Sequence, residues 1–128
     1  MVVFQESHRY NCVNGNKIKE KLMQLYGLNS CDNCLAARKA LKNMAIEYVD
    51  VRESGVPKYV LKMALETFGS ALVNKSSTTW RGLVELERAR NSLELLQAHP
   101  TLMKRPLIVN GSDMTLGWKP DVAAFYAG

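Results

Sequence analysis

Cys31 and Cys34 stand three apart in the stretch Tyr26-Gly27-Leu28-Asn29-Ser30-Cys31-Asp32-Asn33-Cys34. Four chemistries are open to such a pair. Both thiols can be small core residues, because free cysteine is among the most buried side chains. The pair can be half of a zinc site, but zinc needs two further ligands, and the chain offers only Cys12, His8 and His99. The pair can also be a thiol–disulfide couple, or Cys31 can work alone with Cys34 incidental. Position favours the last two, and the residues do not separate them. Cys31 lies in a polar turn at a helix start, where unpaired backbone N–H groups and the positive end of the helix dipole favour thiolate. Such settings draw a thiol from about 8.5 down to roughly 3.5–7.5. Asp32 opposes this, so a cation has to come from elsewhere in the chain.

The elements that would hold the pair can be read from the apolar periodicity. Leu22 to Tyr26 is a short apolar strand. Asp32 to Met44 reads as a helix with Cys34, Ala37, Leu41 and Met44 along one face, and Asn29 or Ser30 is placed to cap it. Ile46 to Val51 is a second strand. Strand, helix and strand with short joins make a βαβ unit with parallel strands, and Cys-x-x-Cys after the first strand of such a unit is a redox arrangement. The middle of the chain is helical. Pro57 suits a first turn, and Tyr59, Val60, Met63, Ala64 and Phe68 form an apolar stripe ended by Gly69. Leu86 to Ala98 is a further helix, stopping before His99-Pro100. Pro106–Asn110 and Met114–Gly117 are strands of a hairpin around Gly111-Ser112-Asp113, and Asp121–Tyr126 is a closing helix after Pro120. The predicted class is α/β: a central mixed four-stranded sheet, β-α-β then β-β-α, with a helical insertion between strands 2 and 3. In that layout the loop Met103-Lys104-Arg105-Pro106 returns to the start of the first helix. Arg105 is therefore the candidate cation, able to stabilise a thiolate and to fork onto an oxyanion or carboxylate. The plain alternative for Arg105 is a solvated basic residue.

Bulk properties set the bounds. The chain has 128 residues, 47% hydrophobic and 23% charged, the size and make-up of one globular domain. No apolar run approaches the ~18 residues of a membrane span, and Met1–Phe4 is followed at once by polar residues, unlike a secretory leader. A cytoplasmic, membrane-free protein is expected, and its three cysteines are too few for an extracellular disulfide framework. Net charge is +5. Residues 1–21 contribute Arg9, Lys17, Lys19 and Lys21 against Glu6 and Glu20, leaving 13 basic and 10 acidic residues, or +3, in the remainder. With no Lys/Arg run, direct nucleic-acid binding is not expected. Residues 1–21 read as a flexible arm and 22–128 as the compact domain.

The segments "LYGLNSCDNCLAARKAL" (25–41), "LVNKSSTTWRGL" (72–83), "LLQAHPTLMKRPLIV" (95–109) and "LGWKPD" (116–121) resemble, in order and spacing, the arsenate reductase-like (ArsC/Spx) family, especially its YffB-like branch. The resemblance implies a thioredoxin-like fold and a cis Pro106. It implies catalytic roles for Cys31 as nucleophile, Arg105 as the partner-binding cation and Cys34 as a resolving thiol. Substrate or glutathione would be bound by Asn29, Ser30, Asn74, Arg105, Pro106 and Lys119. It further implies no metal or bound cofactor, glutathione as co-substrate, glutathione or glutaredoxin or a small oxyanion as partner, and a monomer. In true arsenate reductases the cysteine attacks arsenate, and glutathione and then glutaredoxin resolve the adduct. This chain departs from that pattern. Gly27 stands where those enzymes place a histidine, and Asn74 and Lys119 replace the first and third of their anion-binding arginines. The expected function is a glutathione- or glutaredoxin-coupled thiol oxidoreductase with weakened oxyanion binding. The alternative is an Spx-like regulator that binds RNA polymerase through a Cys31–Cys34 disulfide switch.

Overall fold

A computed structural model describes residues 12–13, 16–17 and 23–127. The expected arm over 1–21 lies outside the described residues, apart from Cys12–Val13 (β1) and Asn16–Lys17 (β2), which pair antiparallel. The main sheet comprises β3 (Met23–Gly27), β4 (Ile46–Asp50), β5 (Leu107–Asn110) and β6 (Asp113–Leu116), in the order β4-β3-β5-β6. β3 runs parallel to β4 and antiparallel to β5, and β5 runs antiparallel to β6. The sheet is mixed and four-stranded, as the residue pattern predicts.

The alternation of side chains along β3 and β5 sends buried groups to both faces, which is how a central strand of a covered sheet reads. On one face Met23, Leu25 and Ile108 meet Ala37 and Leu41, near helix α1 (Asp32–Ala40), and Val122 and Tyr126 from α7 (Pro120–Ala127). On the other face Tyr26, Leu107 and Val109 meet the helical insertion. Its elements are α2 (Val51–Ser54), α3 (Lys58–Phe68), α4 (Thr78–Arg81), α5 (Glu85–Arg88) and α6 (Ser92–Ala98), with 3-10 turns at Gly69–Leu72 and Pro100–Leu102.

Several boundaries differ from the sequence reading. α1 stops at Ala40 rather than Met44, and Met44 is exposed. Asn43, a residue that favours turns over helix, lies in the bend that feeds β4. The single helix predicted over 86–98 is two, because Asn91 caps α6 by accepting a hydrogen bond from the Glu94 N–H at 2.9 Å. Such a cap stabilises a new start more than continuation would. In α3 the buried side chains are Val60, Leu61 and Ala64, while Tyr59 and Met63 face outward, so the stripe lies rotated from the predicted one. Pro57 stands just before α3 rather than inside its first turn. The hairpin turn is Gly111-Ser112, with Asn110 opposite Asp113 and Gly111 at φ 65°, a conformation glycine adopts without strain.

Candidate thiol site

The two cysteines sit where β3 hands over to α1. A turn through Leu28, Asn29 and Ser30 ends with the Cys31 N–H donating to the Leu28 carbonyl at 3.2 Å. Cys31 itself, not Asn29 or Ser30, occupies the N-cap position, in extended backbone. Asn29 and Ser30 are exposed. No side chain closes a full capping hydrogen bond, so the first N–H groups of a nine-residue helix remain directed at the end where the Cys31 sulfur stands.

Both thiols are free. Cys31 is partly exposed and Cys34 fully buried, and the surroundings drive them apart. Burial pushes the Cys31 thiol up. Hydrogen bonding from the Cys34 thiol, the Cys34 N–H and the Arg105 side chain, with the Arg105 charge, outweighs this and brings it below its ordinary value. At Cys34 burial acts first. Together with the hydrogen bond to Cys31 and the Cys31 charge, it pushes the thiol up to about 12, against the Leu28 backbone and Arg105. Cys34 therefore keeps its proton while Cys31 is drawn towards thiolate, a pattern that favours one nucleophilic sulfur over two.

Arg105 comes from the loop before β5, as the layout predicts, and the Arg105–Pro106 bond is cis. Its Nη1 donates to the Thr101 carbonyl at 2.6 Å and the Met103 carbonyl at 3.1 Å. Its Nε–H is buried and has no partner among the described residues. Pro106 is fully buried.

Cys31, Cys34 and Arg105 are thus brought together. No hydrogen bond or ion pair joins Asn74 or Lys119 to them among the described residues. The Asn74 side chain is engaged locally, its Oδ1 accepting from the Ser76 N–H at 3.0 Å, and Lys119 is exposed beside α7. Trp80 packs against the insertion core, its ring faced by Lys75 and Arg88 at 5.5 and 5.2 Å. His99 caps the end of α6 and meets Glu87 at 2.8 Å.

One contributor escapes a reading of side-chain chemistry. A Cβ at Gly27 would lie 2.6 Å from the Cys34 sulfur and 3.1 Å from its Cβ. Gly27 is what lets the buried thiol lie against the strand, and the only sequence signal for this is a glycine closing the strand before the pair. Among the described residues, no group of three or more His, Cys, Asp or Glu side chains could hold a metal ion.

A thiol at the start of the first helix, a cation from the loop before the third main strand and a helical insertion between them define a thioredoxin-like thiol protein. The ArsC family model matches residues 26–124, and the chain belongs to the ArsC family. It is similar to an uncharacterized protein of Haemophilus influenzae, 37% identical over 106 residues, covering 76% of this chain and 91% of that one. It is also similar to the regulatory protein MgsR of Bacillus subtilis, 28% identical over 109 residues, covering 79% and 86%. The solved YFFB protein superposes with a TM-score of 0.74 at 30% identity, covering 80% of this chain and 96% of that one.

Proposed function

We propose that the protein is a thiol-dependent oxidoreductase in which Cys31 is the nucleophile, Arg105 binds the anionic part of the thiol partner, and glutathione or glutaredoxin is the co-substrate. The observation that carries this is the unequal thiol pair: an accessible Cys31 held towards thiolate beside a buried Cys34 held as thiol. The Cys31 thiolate attacks one sulfur of a disulfide substrate, forms a mixed disulfide and expels the other sulfur as thiolate. A second thiolate, from glutathione or from Cys34 after it gives up its proton, then attacks the Cys31 sulfur and expels the substrate sulfur as thiolate, and the disulfide left on Cys31 is reduced by glutaredoxin or further glutathione. The substrate gains two electrons, and the attacking thiol is oxidised to a disulfide. No general base is needed for the first attack when the thiolate is already formed.

Arg105 suits this chemistry better than arsenate. It is one partly exposed guanidinium, a single cation to set against a carboxylate of glutathione. Asn74 carries no charge, and Lys119 offers a point charge rather than a bidentate fork. We expect turnover of a glutathione mixed disulfide when glutathione and glutaredoxin are supplied, abolished in Cys31→Ser, with arsenate reduced far more slowly. Absence of disulfide turnover in that coupled assay sinks the reading.

The second reading, a redox-switched regulator that binds RNA polymerase, draws on the hydrogen-bonded thiol pair and on the resemblance to a regulatory relative. Retention of RNA polymerase by the oxidised but not the reduced protein would replace the first reading with this one.

A further inference from the structure

Among the described residues, no carboxylate holds the Arg105 guanidinium. It hangs on two backbone carbonyls, Thr101 at 2.6 Å and Met103 at 3.1 Å. Those carbonyls belong to the 3-10 turn Pro100–Leu102 and the residue after it, so the position of the cation depends on what fixes this turn. Backbone bonds fix its C-terminal side: Asn74 N–H to the Leu102 carbonyl at 2.8 Å and Lys104 N–H to the Leu72 carbonyl at 2.8 Å. Thr101 lies just before these anchors and has a side-chain tie of its own. Its hydroxyl meets the Thr79 hydroxyl of α4 at 2.8 Å, in part-buried surroundings. Thr79 is itself set by the start of α4, where the Ser77 hydroxyl accepts from the Trp80 N–H at 3.1 Å. Among the described residues the "TTWR" segment makes no hydrogen bond to the thiols, yet through Thr79 and Thr101 it is tied to the carbonyl that holds Arg105.

We propose that Thr79 and Thr101 are positioning residues. Their shared hydroxyl bond orients the Thr101 carbonyl so that Arg105 is held against Cys31. This inference rests on the reading of Cys31 and Arg105 as the working pair. It adds that the helical insertion, rather than the sheet alone, sets how strongly the cation acts.

The Thr→Val exchange keeps shape and removes the hydroxyl, while leaving the Thr101 carbonyl in place. One unpaired hydroxyl in part-buried surroundings is a small loss of stability, whereas a displaced guanidinium changes the field at the sulfur. The two effects are therefore separable. The measurement is the pH profile of Cys31 alkylation by iodoacetamide in the full chain, followed by mass spectrometry at Cys31, with thermal unfolding in parallel. Arg105→Gln is expected to raise the profile midpoint by about one pH unit, tenfold in thiolate below the midpoint. Thr101→Val and Thr79→Val should each raise it by about half a unit, roughly threefold in rate. The double variant should match the singles because both act through one bond. Thr101→Ser should restore the wild-type midpoint.

A lowered melting temperature with an unmoved midpoint in both valine variants overturns the inference while leaving the Cys31–Arg105 reading intact, provided Arg105→Gln still moves it. A midpoint indifferent to Arg105→Gln overturns both.

Discussion

Two sulfurs three residues apart are pushed in opposite directions by their surroundings, Cys31 towards thiolate and Cys34 towards thiol. Cys31 has its folded value below its unfolded one. Its thiolate therefore stabilises the fold at pH above the unfolded value near 9, and this contribution is lost as pH falls through the folded value. Cys34 runs the other way, from 9.0 up to about 12: its protonated form stabilises the fold below 9, and that support is lost as pH rises towards 12. Urea unfolding between pH 9 and 12 should show a steeper fall in stability for wild type than for Cys34→Ala, and parallel curves would contradict the assignment. The chemistry of Cys31 and Arg105 is legible in the sequence because it resides in their side chains. The supports of Arg105 are not, since they are backbone carbonyls that every residue carries. Gly27 is equally silent, because its contribution is the absence of a side chain. Asn29 and Ser30 mislead as caps: both are good capping types, but the chain turns one residue later.

At the scale of elements, the β3–α1 junction is tight because a sulfur lies against a strand. Gly27→Ala brings a methyl to 2.6 Å from the Cys34 sulfur, and crowding of this kind costs about 1–3 kcal/mol. The loss should appear as a lower urea midpoint. It should be partly recovered in Gly27→Ala with Cys34→Ala, where the sulfur is gone; a simple sum of the two single effects would mean the contact does not govern the junction. Element order and type were readable from apolar periodicity, since β3, β4, β5 and β6 are short apolar runs between turn residues. Element ends were not. The break at Asn91 depends on one side chain capping a new helix, and the rotation of the α3 stripe depends on which side of the helix meets the sheet. Periodicity places Tyr59 and Met63 on the stripe and leaves out Leu61, and packing reverses that choice.

Across the whole molecule, the insertion is a second core layer as well as a support for the site. Leu61, in α3, is almost wholly buried and belongs to the cluster that joins Leu72, Leu96, Leu102 and Leu107. Leu61→Ala is expected to cost 2–5 kcal/mol, about what other buried leucines lose on truncation. A urea midpoint within error of wild type would show that this layer is not cooperative with the sheet. The strand order β4-β3-β5-β6 also bears on a chain still leaving the ribosome. Cys31 and β3 emerge early, together with the parallel neighbour β4. The antiparallel neighbour β5 and the guanidinium of Arg105 emerge 74 residues after Cys31, counted as 105 less 31. On the proposed pairing of Cys31 with Arg105, a chain that ends before residue 105 lacks the cation and is expected to alkylate more slowly at Cys31 than the full chain, which would tie reactivity to completion of synthesis.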